Sequence, residues 1–310
     1  MATMKAIRIH RFGGPEVMAV EGVPVPEPAG DEILLRVHAA SVNPVDYKIR
    51  QGKFVGADKL PIALGRDASG TVEKTGPAQR ELRRGDALYA MPGFDRGAFA
   101  EYVILKANEA ARKPERSSHV EAASVPLAGL TAWQGLFDHG GLKEGQRVLI
   151  HGGVGGVGHL AVQFAKAKGA RVFTTVSRDD LDFVRELGAD EAIDYKAQRF
   201  ETVAHDVDVV FDLIGGETQE RSWTVLKRGG ILVSTVGQPP REKAAQHGVR
   251  TASFMALPNA TQLATIGRLI DDGKVRPHIA ATFPFAEAAA AEEQLEHGHV
   301  RGKIVLRLVD

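Results

Sequence analysis

The feature that most constrains the 310-residue chain is the run Arg147-Val148-Leu149-Ile150-His151-Gly152-Gly153-Val154-Gly155-Gly156-Val157-Gly158. An apolar stretch ends abruptly in glycines and gives way to Leu160, Phe164 and Ala167 at helical spacing, the order strand, tight turn, helix. Gly153, Gly155 and Gly158 satisfy G-x-G-x-x-G, in which the glycines permit the turn, let backbone N–H groups approach a pyrophosphate and seat the helix on the sheet. The phosphates would lie at the helix N-terminus, where unpaired N–H groups and the helix dipole favour anions. Glycines in such a run can also do no more than close a turn. Here a second β-like run, Arg171 to Val176, follows at the spacing a βαβ unit requires, which points to a dinucleotide site.

Before the glycine run, from residue 1 to about 110, short alternating segments (Lys5 to His10, Ile33 to Ala39, Gly70 to Glu73, Ala87 to Met91, Phe99 to Leu105) are separated by Gly, Pro and Asp. That pattern predicts a compact antiparallel, barrel-like β domain. It is interrupted by Ser41 to Gly52, where Asn43-Pro44 reads as a turn leading into a short helix. After it, strands at 147–151, 171–176, 208–213 and 231–235 alternate with helical stretches at 156–168, 180–187 and 217–226, a doubly wound parallel sheet. A strand at 250–255 and a helix at 259–271, capped by Asn259, would complete it. The last 38 residues turn β-like again around an alanine-rich helix, 286–297, and are too few to fold alone. They are expected to return to the N-terminal domain and make it discontinuous, with domains of 1–120 plus 272–310 and of 121–271.

Lys+Arg and Asp+Glu both total 39, so no global field draws the chain to nucleic acid or a membrane surface. The absence of cysteine excludes disulfides, thiolate catalysis and every cysteine-bearing zinc site. His297 and His299 have no further ligands nearby in sequence, so no metal site is expected. No run has the form of a signal peptide or membrane span, and a soluble cytoplasmic enzyme is the expectation.

Several stretches, in order and spacing, resemble the medium-chain dehydrogenase/reductase superfamily and its zinc-free quinone and enone reductase branch. They are Ser41 to Lys48, Gly65-Arg66-Asp67-Ala68-Ser69-Gly70-Thr71-Val72, Gly129-Leu130-Thr131-Ala132-Trp133, the glycine loop, Leu187-Gly188-Ala189-Asp190 with Asp194-Tyr195, Asp212-Leu213-Ile214-Gly215-Gly216, and His299 to Lys303. The resemblance covers nearly the whole chain. It implies a GroES-like catalytic domain beside a Rossmann domain, a nicotinamide cofactor in the cleft, and a homodimer paired through the sheet edge at Arg250 to Met255. Zinc-dependent members carry a cysteine ligand and Gly-His-Glu, where this chain has Gly65-Arg66-Asp67. Without a Lewis acid to activate an alcohol, the expected acceptors are already electrophilic: quinones and α,β-unsaturated carbonyls.

An NAD-type site places Asp or Glu at the end of the second strand, against the ribose 2′-OH. Here that position reads Ser177-Arg178, a hydroxyl and a guanidinium suited to the 2′-phosphate of NADPH. Alternatively Ser177 caps the next helix and Asp179 or Asp180 reaches the ribose. The resemblance adds Tyr195 as a phosphate or adenosine contact, and Gly156, Val157, Ile214, Val236 and Lys303 as further cofactor contacts. It also points to Lys48 first, at the ribose hydroxyls or an enolate oxygen, and Tyr47 second, as proton donor or ring wall. Asn43 and Asp46 either contact the nicotinamide ribose or cap the turn; Thr131 either contacts the nicotinamide or caps a helix. Asp67 is expected to bond Arg66 or backbone. Two other functions compete: an enoyl-thioester reductase, which would need a basic groove, and a low-turnover NADPH-binding redox sensor.

Overall fold

In the computed structural model, which describes residues 2–309, the chain forms two units. The first comprises the residues through Ala128, Pro258–Gly273 and those from Pro277 onward; the second is Gly129–Leu257 with Lys274–Arg276.

The first unit opens with β1 (Thr3–Ile9), β2 (Ala19–Pro24), β3 (Ile33–Val42), α1 (Pro44–Arg50), β4 (Ile62–Ala63), β5 (Ala68–Thr75), β6 (Ala87–Ala90), β7 (Tyr102–Leu105) and β8 (Ala110–Arg112). Next comes α2 (His119–Ala123), started by Ser118, whose hydroxyl accepts from the Glu121 N–H; α3 (Pro126–Trp133) passes into the second unit at Gly129 and continues there as a π-helical turn, Gln134–His139.

The second unit contains β9 (Arg147–His151), α4 (Gly158–Ala167), β10 (Arg171–Val176), α5 (Leu181–Glu186), β11 (Glu191–Asp194), β12 (Val207–Asp212), α6 (Gly216–Arg221), β13 (Leu226–Ser234), α7 (Arg241–His247) and β14 (Arg250–Ser253). Its six strands are all parallel, in the order β11-β10-β9-β12-β13-β14. The strand order reverses between β9 and β12, the switch point where ligands bind in open α/β sheets. Buried Leu149, Phe173, Val210 and Leu232 fill one face of the sheet.

The chain then returns to the first unit through α8 (Ala260–Asp271), β15 (Ile279–Pro284), α9 (Ala288–His297) and β16 (Lys303–Arg307). The main sheet there runs β15-β16-β3-β5-β6-β8, with β7 also on β3. Leu35, Val37, Phe99, Ile304 and Leu306 form its core with Ala288 and Ala291 of α9. Each large apolar side chain fully buried in this way contributes about 1.5–3 kcal/mol.

The strand and helix expectations hold to within a few residues, and Asn259 caps α8 by accepting from the Gln262 N–H at 2.9 Å. Short elements depart from them. β2, β4, β8, β11 and α7 were not expected, β13 begins five residues earlier than the apolar run, and the stretch 217–226 breaks into α6 and a 3₁₀ turn, Ser222–Val225. The division of the chain also differs: residues 121–128 and α8 group with the first unit, not with the nucleotide-binding one. The reason lies in the packing of α8, where the buried Tyr89 hydroxyl of β6 donates to the Leu263 carbonyl and Asp271 accepts from the Arg116 N–H.

Candidate functional site

In the second unit the glycines of the loop do two different things. A Cβ on Gly153 would stand 2.0 Å from the Thr174 hydroxyl, and one on Gly158 would stand 2.1 Å from the Gly152 carbonyl oxygen, so both are demanded by packing. A Cβ on Gly155 would meet nothing nearer than 3.7 Å. The space over Gly155 is open, which is the cradle a pyrophosphate needs, just ahead of α4 with Gly156 and Val157 between.

The rim of this end of the sheet is apolar and exposed. Eight large apolar or aromatic side chains are exposed among the described residues, and Tyr195, Ile214 and Val236 are three of them, each just beyond the C-terminal end of a strand. Ile214 lies against Gly152, and Val236 against Gly215. Asp212 builds the turn that presents Ile214: one carboxylate oxygen accepts from the N–H groups of Ile214 (3.0 Å) and Gly215 (2.8 Å), the other from the Ser234 hydroxyl (3.0 Å) and the Gln219 amide (2.7 Å). Gly215 adopts φ +78° in that turn, a conformation glycine accommodates without strain.

The candidates for the adenosine end also come together. The Tyr195 N–H bonds the Val176 carbonyl at 3.2 Å, which sets Tyr195 beside the end of β10 and therefore beside Ser177 and Arg178. Arg178 is exposed and forms no ion pair among the described residues. The Ser177 hydroxyl instead donates to Asp180, which is buried, so Ser177 is part of the turn that begins α5 and makes no capping bond to its backbone. Thr131 lies inside α3, not at its start, and so caps no helix.

Sequence reasoning overlooked His151, at the end of β9. It is fully buried, with Nδ1 3.0 Å from the Thr175 hydroxyl and Nε2 2.9 Å from the Ser222 hydroxyl. Ser222 donates to the Thr218 carbonyl at 2.7 Å, so it accepts from Nε2–H and leaves Nδ1 to accept from Thr175. Burial lowers the imidazole to about 4, so it is neutral. Gly152 N–H in turn lies 3.4 Å from the Thr175 hydroxyl, tying the loop to this relay. A polar residue closing an otherwise apolar strand was the signal available.

In the first unit a buried polar cluster forms where β3 ends. β5 and β16 flank β3 in antiparallel register, Ala68 opposite Ala40 and Ile304 opposite Val42. The end of β3 therefore meets the beginnings of both neighbours, bringing Ser41, Asn43, Asp67 and Lys303 together. One Asp67 oxygen accepts from Ser41 Oγ (2.6 Å) and Asn43 Nδ2 (2.7 Å), and the other from the Leu127 N–H (2.6 Å). Lys303 Nζ donates to the Val42 carbonyl (3.0 Å) and to Asn43 Oδ1, with Asp67 at 3.7 Å. Burial lowers the Lys303 ammonium, while Asp67 and Asp46 pull it back up. Asp46 caps α1 by accepting from the Asn43 N–H at 2.8 Å; burial, then Glu292, pushes its carboxyl well above the usual range.

Asn43, Asp46 and Lys303 thus commit their polar atoms largely to one another inside the unit, and Asp67 bonds backbone but not Arg66. Tyr47 and Lys48, next along α1, are half-buried, and their side chains make no hydrogen bond among the described residues. Burial, with Glu296 and Glu292, raises the Tyr47 phenol, so it stays protonated at neutral pH. α1 is held by the fully buried Arg50, which donates to Glu292 at 2.7 Å, to the Gly13 carbonyl at 2.9 Å and to Glu296 at 3.1 Å.

A sheet of Rossmann order carrying an open glycine cradle, in a chain that also has a β-rich unit with a buried Asp–Lys cluster, defines a dinucleotide-binding protein. Family models agree with that class: an alcohol dehydrogenase GroES-like domain matches residues 29–115, and a zinc-binding dehydrogenase domain matches residues 187–306. The chain is 36% identical to a mitochondrial NAD(P)H oxidoreductase of Mus musculus, covering 90% of this chain and 82% of that protein. It is 38% identical to a chloroplastic NADPH-dependent alkenal/one oxidoreductase of Arabidopsis thaliana, covering 98% and 79%. Among solved structures, the quinone oxidoreductase from Coxiella burnetii superposes with a TM-score of 0.91 at 40% identity, covering 99% and 100%. The chain belongs to the medium-chain dehydrogenase/reductase superfamily, in its quinone and enone reductase branch.

The residues present do not fit the zinc ion in the name of one of these family models. The chain has no cysteine, the Asp67 oxygens are taken by Ser41, Asn43 and Leu127, and no group of three His, Asp or Glu among the described residues could hold a metal.

Proposed function

We propose that the protein is an NADPH-dependent, zinc-independent reductase that delivers hydride to a quinone or an α,β-unsaturated carbonyl. The carrying observation is the open space over Gly155 at the switch point of the sheet, rimmed by exposed Ile214 and Val236. Loop N–H groups and the start of α4 hold the pyrophosphate, and Arg178 with Tyr195 receives the 2′-phosphate and adenosine. The names of the Arabidopsis and Coxiella relatives support NADPH and these acceptor classes.

When bound, NADPH supplies the hydride to the electrophilic carbon. With an enone, hydride adds at the β-carbon, the C=C pair shifts to join the α-carbon to the carbonyl carbon, the C=O pair moves to oxygen as an enolate, and a proton added at the α-carbon completes the two-electron reduction. The Tyr47 phenol suits the role of proton donor, and the unbonded Lys48 ammonium that of binding the ribose hydroxyls. A homodimer paired through β14 and a cytoplasmic location belong to the same proposal.

The test follows NADPH oxidation with duroquinone, a long-chain enone and a saturated aldehyde in parallel, repeated with NADH and with Arg178→Ala. Turnover of quinone or enone, with an NADPH preference that Arg178→Ala removes, is expected. Aldehyde turnover alone, or none with any acceptor, would defeat the proposal.

A further inference from the structure

Arg66 is the unexplained charge of the first unit. Its side chain is only 3% exposed, yet Nε and Nη1 are sealed from solvent without a hydrogen-bond partner, and the guanidinium forms no ion pair among the described residues. An unpartnered buried donor of this kind is expensive, and native structures retain one for a reason. Asp46, Asp67, Glu109 and Asp95 are near enough to stabilise its charge, but none bonds it. Asp67 is taken by the β3 cluster, and Glu109 accepts from Arg96 at 2.6 Å and from the Gly93 N–H at 3.1 Å.

The guanidinium also lies over an aromatic ring. Its central carbon is 3.8 Å from the centroid of Phe94, and the Phe94 ring is 6.5 Å from that of Phe54. Both rings are exposed, 41% and 46%, although side chains of this type are ordinarily buried. Gly65 fixes where Arg66 starts: it adopts φ +100°, and a Cβ there would stand 2.6 Å from the Phe99 backbone nitrogen. An exposed aromatic pair backed by unshared N–H donors is complementary to a flat, conjugated molecule with an oxygen at its edge.

We propose that Arg66 anchors the acceptor: the Nη2 corner of its guanidinium, which is not sealed as Nε and Nη1 are, takes a carbonyl oxygen of a quinone or conjugated enone, whose plane lies along Phe94 and Phe54. The assignment rests on the reductase reading for the identity of the acceptor. As the hydride reaches carbon and the electron pair moves to oxygen, the anionic oxygen bonds the guanidinium more strongly than the neutral carbonyl did, so Arg66 acts on turnover as well as on binding.

Binding and turnover separate the two proposals. Calorimetry with duroquinone and no NADPH, on the full chain, is expected to show roughly 10- to 100-fold weaker binding in Arg66→Met. kcat should fall about 100-fold. NADPH affinity should be unchanged. Millimolar guanidinium should restore quinone binding and turnover to Arg66→Ala, an effect a purely structural role would not produce, and Phe94→Leu should weaken binding while leaving most of kcat. Wild-type-like duroquinone binding in Arg66→Met would overturn the assignment, as would failure of the wild type to bind duroquinone at all. If Arg66→Met does not fold, Arg66→Lys and Phe94→Leu decide, and undiminished binding in both overturns it. Arg66-dependent binding without any NADPH oxidation would leave Arg66 as a quinone anchor and remove the reductase reading instead.

Discussion

Gly155 and Gly158 lie three residues apart and answer to different constraints. A methyl group on Gly158 collides with the Gly152 carbonyl, whereas on Gly155 it enters open space. Gly155→Ala is therefore expected to fold with an unchanged melting temperature but to bind NADPH about tenfold more weakly, a loss of roughly 1.4 kcal/mol. Gly158→Ala should lower the melting temperature itself. Fluorescence titration and thermal unfolding of the two variants separate these effects; equal NADPH affinity in Gly155→Ala and wild type would show that no phosphate approaches there. The glycines were legible in the sequence because their roles are local. The commitment of Ser177 to Asp180 was not, since a serine at a strand end serves a phosphate or a turn equally well.

At the scale of elements, the ends of β3, β5 and β16 create the one place in the first unit where Lys303 is buried with a counter-charge. Asp67→Ala would leave that ammonium without its acid at 3.7 Å, and removing one partner of a buried pair costs about 3–5 kcal/mol. Replacing both, as Asp67→Asn with Lys303→Met, should recover much of the loss; urea unfolding of the single and double variants measures the difference. The pair joins residues 67 and 303, and no local pattern in the sequence reports a pairing at that separation. β11 and α7 escaped notice for another reason: each is short and largely polar, so periodicity has little to register.

The α1–α9 pair carries a pH dependence. Burial pushes the Glu292 carboxyl up to about 7 from 4.5, against the pull of Arg50, with Glu296 adding to the rise. The folded state therefore holds this proton more tightly than the unfolded chain. Its contribution is complete below pH 4.5 and is lost as pH rises towards 7, on the order of 3 kcal/mol. His119 and His151 work in the opposite direction, because burial lowers both to about 4 from 6.5 and stability is lost as pH falls through that range. Glu292→Gln should flatten the decline between pH 5 and 8 and leave the acid-side loss in place. An unchanged pH profile of urea unfolding in that variant would mean that Glu292 is ionised throughout.

For the whole molecule, the two-unit plan was legible because strand spacing changes character at the glycine loop, while the boundaries were not, because α8 follows the second unit in sequence but packs by its tertiary contacts with β6 and β8. Two of the remaining exposed apolar residues bear on assembly. Among the described residues β14 pairs only with β13, so its outer backbone groups are open, and just beyond it Met255 and Leu257 are 51% and 68% exposed. An open edge beside apolar side chains favours pairing with a like edge, and two copies related by a twofold axis would satisfy both at once. Light scattering is therefore expected to give twice the 33.3 kDa chain mass. The double substitution Met255→Glu and Leu257→Glu should shift the protein to monomer, since two like charges per copy would face one another across the axis. A wild-type mass of one chain at every concentration would remove the homodimer from the proposal without touching the nucleotide site, because the Gly155 cradle is built wholly within one second unit.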